Sequence, residues 1–210
     1  LTAIVCLEQT ELTDVVTASK KAASQPKVHL GMREGEQFYV QDLLYAMMLE
    51  SFNDCAMALA EHVGGSMEGF AVLLNEKAAQ IGCTDTYFIT PNGLDAEDDK
   101  DFHHTTATDL ARLMKYCCWD SPKAKEFLQI TETASHSFTN LSGKSYAVSN
   151  KNAFLSMMPE AISGKTGFTS AAGYCYVGAI ESEGRRYTIA LLACGWPNHK
   201  TYKWSDAKTL

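Results

Sequence analysis

Three observations predict an α+β fold (α/β in the wider sense) of two lobes, with an antiparallel sheet flanked by helices and a mainly helical lobe beside it. Apolar residues recur at helical spacing through the first half of the chain. Hairpin patterns with a central glycine dominate after Ile130, and a nearly unbroken apolar stretch, Leu1 to Leu7, opens the chain. The helical lobe is expected at about 36–128, and the sheet-bearing lobe at about 1–35 together with 129–210. At 210 residues and 46% hydrophobic content the chain can bury a substantial core.

Leu1 to Leu7 is helix material ending near Glu8-Gln9, and Val15-Val16-Thr17 is a short β-prone stretch. Turn residues run from Ser24 to Gly35. Leu43, Leu44, Met47 and Met48 mark a helix over Gln41 to Glu50, and Ala56, Met57, Leu59 and Ala60 mark another over Asp54 to His62. Ser51-Phe52-Asn53 therefore falls at a helix–helix junction. A third helix starts at Ser66, turns Phe70, Leu73, Leu74, Ala78 and Ile81 inward, and stops at Gly82. Thr90-Pro91-Asn92-Gly93 is turn chemistry that opens a polar loop reaching His104. Thr106 with Asp109 resembles a capping box for a helix whose inner face is Leu110, Leu113, Met114 and Cys117. Strands at Thr131 to Thr139 and Ser145 to Ser149 flank Ser142-Gly143, strands at Tyr174 to Ile180 and Tyr187 to Cys194 flank Glu183-Gly184, and a last helix begins near Tyr202.

The net charge of -7 argues against nucleic-acid binding, which uses a basic surface to neutralise phosphates. Small or peptidic partners are expected instead. No apolar run has the roughly 18 residues that a membrane span needs, so any membrane attachment would come from segments other than these. The seven cysteines show no zinc spacing, and Cys6, Cys55, Cys175 and Cys194, set in apolar runs, read as small buried hydrophobes. Asp95, Glu97, Asp98, Asp99, Asp101, His103 and His104 are dense in metal-ligating types, but their spacing fits no known ligand motif. They read as a solvated loop, with His104 fixing the turn into the next helix, and no metal or other cofactor is expected. Asn140-Leu141-Ser142 matches a glycosylation acceptor only as a weak three-residue pattern.

Two motifs carry chemistry. Ser51 has a rotating hydroxyl suited to passing a proton, and Asn53 an amide able to hold a substrate carbonyl. The ammonium of Lys165 favours proton movement through Ser51 and attracts a carboxylate, to which Thr166 can also donate. Gly167 leaves a strand edge bare for an extended peptide, and the N–H of Phe168 is placed to serve an oxyanion. Together these are two of the three parts of a serine acyl-transfer site. The third, Ser-x-x-Lys, is read as missing ahead of Ser51.

These motifs, with Leu44, Ala58-Leu59-Ala60-Glu61, Phe70, Asn75-Glu76-Lys77-Ala78, Thr90 to Asp95, His104 to Ala111, Gly164 to Thr169 and Ala172-Gly173-Tyr174, resemble the low-molecular-mass penicillin-binding proteins over nearly the full length. These are the serine D-alanyl-D-alanine carboxypeptidases of the S11 type. The resemblance implies a transpeptidase fold shared with serine β-lactamases, with Ser51, Asn53 and Lys165 as catalytic positions and Lys165, Thr166, Gly167 and Phe168 as the substrate-binding edge. It implies a peptidoglycan stem peptide ending in D-Ala-D-Ala as substrate, β-lactams as covalent inhibitors, and an extracytoplasmic location, secreted or attached to the outer face of the bacterial cytoplasmic membrane. In that family Ser-x-x-Lys heads the helix that continues as Leu-Thr-Ala-Ile-Val, so the chain reads as trimmed just before Leu1 and again inside its last helix. A noncatalytic wall-binding homologue, a serine β-lactamase and a metal-dependent hydrolase built on the acid–histidine stretch are the alternatives.

Overall fold

The structure, a computed structural model, describes residues 1–210. In chain order it comprises α1 (Thr2–Gln9), β1 (Val15–Thr17), α2 (Lys20–Ala23), β2 (Gln37–Tyr39), α3 (Val40–Glu50), α4 (Asn53–Gly64), α5 (Met67–Ile81) and α6 (Ala107–Lys115). A π-helical turn (Tyr116–Asp120) leads to α7 (Ala124–Glu132), β3 (Ser135–Thr139), β4 (Ser145–Ser149), α8 (Phe154–Met157), β5 (Ala161–Thr169), β6 (Gly173–Ser182), β7 (Arg185–Leu191) and α9 (Tyr202–Thr209). No helix is long and apolar enough to cross a membrane.

Helix α1 is the hub. Ala3, Ile4, Val5, Cys6 and Leu7 are all buried, as expected of a helix apolar on every side. Glu8, the penultimate residue of the helix, receives Lys77 of α5 at 2.7 Å, the hydroxyl of Tyr116 at 2.8 Å and that of Ser121 at 2.6 Å. Around this hub, α3 and α4 bury most of their length. Helix α5 is capped as its sequence predicts, with Ser66 Oγ accepting from Gly69 N–H and Gly82 left-handed at the other end. The capping box of α6 is half made. Thr106 accepts from Asp109 N–H, but the Asp109 carboxylate turns away to Asp85 N–H, Thr86 and Arg112.

The sheet lies over this helical body. Strands β5, β6 and β7 pair antiparallel in that order, so one edge of β5 has no partner strand. Alternation along β6 sends Val177 and Ala179 to the main core, and Tyr176 and Ile180 to a smaller cluster with Phe154 of α8 and Ala207 of α9. A separate hairpin, β3 with β4, is tied to α3 by His136 Nε2 and Asp42 at 3.0 Å and by His136 stacked on Tyr45.

Two expectations are corrected, and the weak glycosylation pattern at Asn140 finds no support. Thr131 does not open a strand: α7 continues to Glu132 because Phe127, Ile130 and Thr131 share its buried face, and Ser163 of β5 donates to Thr131 Oγ1. Cys175 and Cys194 are half-buried, unlike Cys6 and Cys55. Cys175 stands directly across from Gly167, which has no side chain to cover it, and Cys194 lies beyond the end of β7. Asn140 is buried in the hairpin turn, where its carbonyl oxygen accepts from Ser142 and Lys144 N–H, a placement closed to a glycan.

Candidate active site

Helix α3 ends at Ser51, which takes φ 64° and ψ 36°, a left-handed conformation unusual for a residue with a side chain. The turn is held because Ser51 N–H donates to Met47 carbonyl at 3.0 Å and α4 restarts two residues later. Strain of this kind persists only where surrounding structure enforces it. Here the enforcement comes from Asn53 and Asp54 at the start of α4. Asn53 donates through its N–H to Val28 carbonyl at 2.9 Å and through Nδ2 to Pro26 carbonyl at 3.1 Å. The buried Asp54 carboxylate accepts from the N–H groups of Leu30, Gly31, Met32 and Cys55. Loop 25–32 is thus pinned to the start of α4.

Strand β5 brings the second motif to the first. Lys165 Nζ donates to Ser51 Oγ across 114 residues of sequence, and to the carbonyl of Thr166 at 2.9 Å. Lys165 as a residue is half-buried, yet desolvation of its amine alone lowers its pKa from 10.5 to about 8. Thr166 is half-buried and Gly167 exposed; Phe168 is exposed and packs on Tyr174 with ring centres 4.5 Å apart. A Cβ built on Gly167 would meet nothing within 4 Å, so the space beside it is open.

The arrangement therefore joins Ser51 to Lys165 and sets Thr166, Gly167 and Phe168 along a free strand edge. The hydrogen bond of the Asn53 amide nitrogen goes to the Pro26 carbonyl, which leaves its second N–H and its oxygen uncommitted. Sequence reasoning places Asp54 beside the site asparagine at the helix junction, as a structural residue, but missed its clamp on loop 25–32. It also missed the contact between Thr169 Oγ1 and Asp95, at 2.8 Å, which docks the acid–histidine loop on the end of β5.

A family model described as D-alanyl-D-alanine carboxypeptidase, peptidase S11, matches residues 1–193. The chain belongs to this family. It is 34% identical to the D-alanyl-D-alanine carboxypeptidase DacB2 of Mycobacterium tuberculosis, over 100% of this chain and 69% of that protein. With DacF of Bacillus subtilis it shares 27% identity over 90% of this chain, but only 47% of that protein's length. Among solved structures it resembles a D-alanyl-D-alanine carboxypeptidase of M. tuberculosis, with TM-score 0.84 and 29% identity, over 100% of this chain and 79% of that one. A penicillin-binding protein of Listeria monocytogenes solved in its cefotaxime-bound form is also similar, with TM-score 0.80 and 26% identity, over 100% of this chain and 81% of that one. The fold is accordingly that of the penicillin-binding DD-transpeptidases, mixed helices with antiparallel strands.

Against this family background one reading of the sequence needs correcting. A Ser-x-x-Lys spacing does stand ahead of Ser51, as Ser24-Gln25-Pro26-Lys27. Its geometry is wrong for a nucleophile and its base. Ser24 is the C-cap of the short helix α2 and donates to Lys21 carbonyl at 3.0 Å, while Lys27 lies exposed past a proline, so no helical turn stacks the lysine over the serine. The acid–histidine loop is likewise occupied by local bonds. His103 Nδ1 accepts from the N–H groups of Ile89 and Thr90, Asp98 accepts from Lys100 and Asp101 N–H, and His104 exchanges backbone hydrogen bonds with Tyr87. No three His, Cys, Asp or Glu side chains converge there as a metal cage would require.

Proposed function

We propose that these residues belong to the catalytic domain of a serine-type D-Ala-D-Ala carboxypeptidase, which trims the terminal D-Ala from peptidoglycan stem peptides outside the cytoplasmic membrane and is acylated by β-lactams. The contact between Ser51 and Lys165 carries this reading, because it unites two motifs that chance would leave apart. The attacking serine is not assigned to any residue of this chain; it belongs to a Ser-x-x-Lys element.

In this reading the stem peptide lies extended along the open edge of β5 and pairs with its backbone, as the bare space at Gly167 permits. Lys165 and Thr166 receive the terminal carboxylate, which places the penultimate carbonyl at the attacking serine. The Phe168 N–H donates to the oxygen that gains charge as the tetrahedral intermediate forms. When the C–N bond breaks, the departing D-Ala nitrogen needs a proton, and the Ser51 hydroxyl supplies it while drawing its replacement from the attacking side. The Lys165 amine, with its pKa lowered by burial, sits at the junction of both roles. Water then releases the shortened peptide by the reverse path.

The test is mass spectrometry of the full-length protein after exposure to benzylpenicillin. A stoichiometric adduct of the opened drug is expected. Absence of any adduct from folded protein would sink the reading.

A further inference from the structure

We propose that Ser51 and Lys165 are a nucleophile–base pair in their own right, able to accept an acyl group from an activated ester without any Ser-x-x-Lys serine. This goes beyond the carboxypeptidase reading, which gives Ser51 only a proton to carry. Four observations support it. The amine of Lys165 and the hydroxyl of Ser51 are in direct hydrogen-bond contact, the geometry that activates a serine when the amine is neutral. Lys165 has one other partner, the carbonyl of Thr166, and no carboxylate pairs with it to hold the proton on. Ser51 is half-buried rather than sealed, and its left-handed backbone fixes the hydroxyl at a sharp turn between two helices. Open space lies at Gly167, two residues along β5 from Lys165 and so on the same side of the strand, where an acyl donor can enter.

The step balances without a co-reactant. With an aryl ester, Ser51 Oγ forms a bond to the acyl carbon as its proton passes to Lys165 Nζ. The C–O bond to the aryl group then breaks, and its electron pair leaves as phenolate, which takes the proton back from the Lys165 ammonium. The product is an acyl ester on Ser51 and a free phenol. Water can cleave that ester, or the acyl group can move to the adjoining amine.

Burial of Lys165 sets the pH dependence. Desolvation is the sole cause of its lowered pKa, with no charged group of α3, α4 or β6 contributing, so the neutral amine becomes the major form near pH 8. Acylation should rise about tenfold per pH unit below that point and level off above it.

The experiment uses the 210-residue chain with p-nitrophenyl acetate, intact mass and peptide mapping, at about pH 6.5 and about pH 8.5. Two variants complete it. Ser51→Gly removes the hydroxyl with a residue that suits the left-handed backbone, so loss of labelling is not loss of fold. Lys165→Arg keeps a cation that cannot act as a base. The expected result is one acetyl group on Ser51, or on Lys165 by transfer, formed roughly twentyfold faster at the higher pH. It should vanish in Ser51→Gly and slow at least about tenfold in Lys165→Arg. No labelling, labelling only at other lysines or cysteines, or labelling of Lys165 that persists in Ser51→Gly would each overturn the proposal. Any of these leaves the carboxypeptidase reading standing, since that reading assigns attack to a different serine.

Discussion

Two glycines three residues apart on β5 make opposite demands. A Cβ on Gly164 would run into the ring and hydroxyl of Tyr176 and come within 2.7 Å of Asn152 Nδ2, whereas one on Gly167 would meet nothing. Gly164→Ala should therefore cost about 1–3 kcal/mol by overpacking. Gly167→Ala should change stability by less than about 0.5 kcal/mol, yet slow penicillin acylation of the complete protein by about tenfold or more, since the new methyl stands where the ligand would lie. Urea unfolding and acylation kinetics read the two effects separately; normal acylation in Gly167→Ala would place the ligand elsewhere. Lys165 makes a further residue-scale prediction. Its pKa is about 8 when folded against 10.5 ordinarily, so between those values the unfolded chain binds more protons and stability rises with pH. Lys165→Met should remove that part of the rise, so that the stability of the parent minus that of the variant increases from pH 8 to pH 10.5, read by urea unfolding at each pH.

At the scale of elements, Glu8 binds three of them together, since its carboxylate on α1 takes hydrogen bonds from α5, the π-helical turn and Ser121. Burial works against its ionisation, but the bonds from Lys77, Ser121 and Tyr116 prevail and hold its pKa below 4.5. A depressed carboxylate stabilises the fold fully above its unfolded pKa and loses that contribution as pH falls through the folded one. Glu8→Gln should cost about 2 kcal/mol near neutrality, with the gap to the parent closing below about pH 4.5; a gap that stays constant down to pH 3 would show that charge is not involved. The sequence showed α3, α4 and α5 clearly because helical stripes and end signals agree there, with Ser66 and Gly82 at the two ends of α5. It showed α7 poorly. Thr131-Glu132-Thr133 has the β-branched look of a strand, and tertiary contacts, the buried face shared with Phe127 and Ile130 and the hydrogen bond from Ser163 of β5, keep Thr131 in the helix. Strand β2, three residues long, is defined solely by pairing with β1 and has no local pattern of its own.

For the molecule as a whole, Ser51 and Lys165 could be named from sequence because each sits in a compact motif, but what holds them in register could not. The Asp54 clamp on loop 25–32 and the Asp95–Thr169 contact exist only once distant segments close on each other. The same closure divides the core unevenly. One cluster of 33 buried residues runs from α1 through the helices to Ala179 of β6, while a cluster of 5 holds α8 and α9 to the other face of the sheet. Free energy of local opening follows buried apolar contact. Helix α9, held chiefly by Ala207 and Trp204, should thus open without disturbing the helical body. Hydrogen exchange under native conditions should show amides of α9 exchanging at least about 100-fold faster than those of Val5, Cys6 and Leu7 in α1. Trp204→Ala removes the indole that packs on Phe154 and Tyr176, so it should speed exchange in α9 and along β6 near Tyr176 while leaving α1 unchanged. Equal protection of α1 and α9, or acceleration of both by Trp204→Ala, would mean that the two clusters unfold as one unit and that the sheet transmits the loss directly to the helical core.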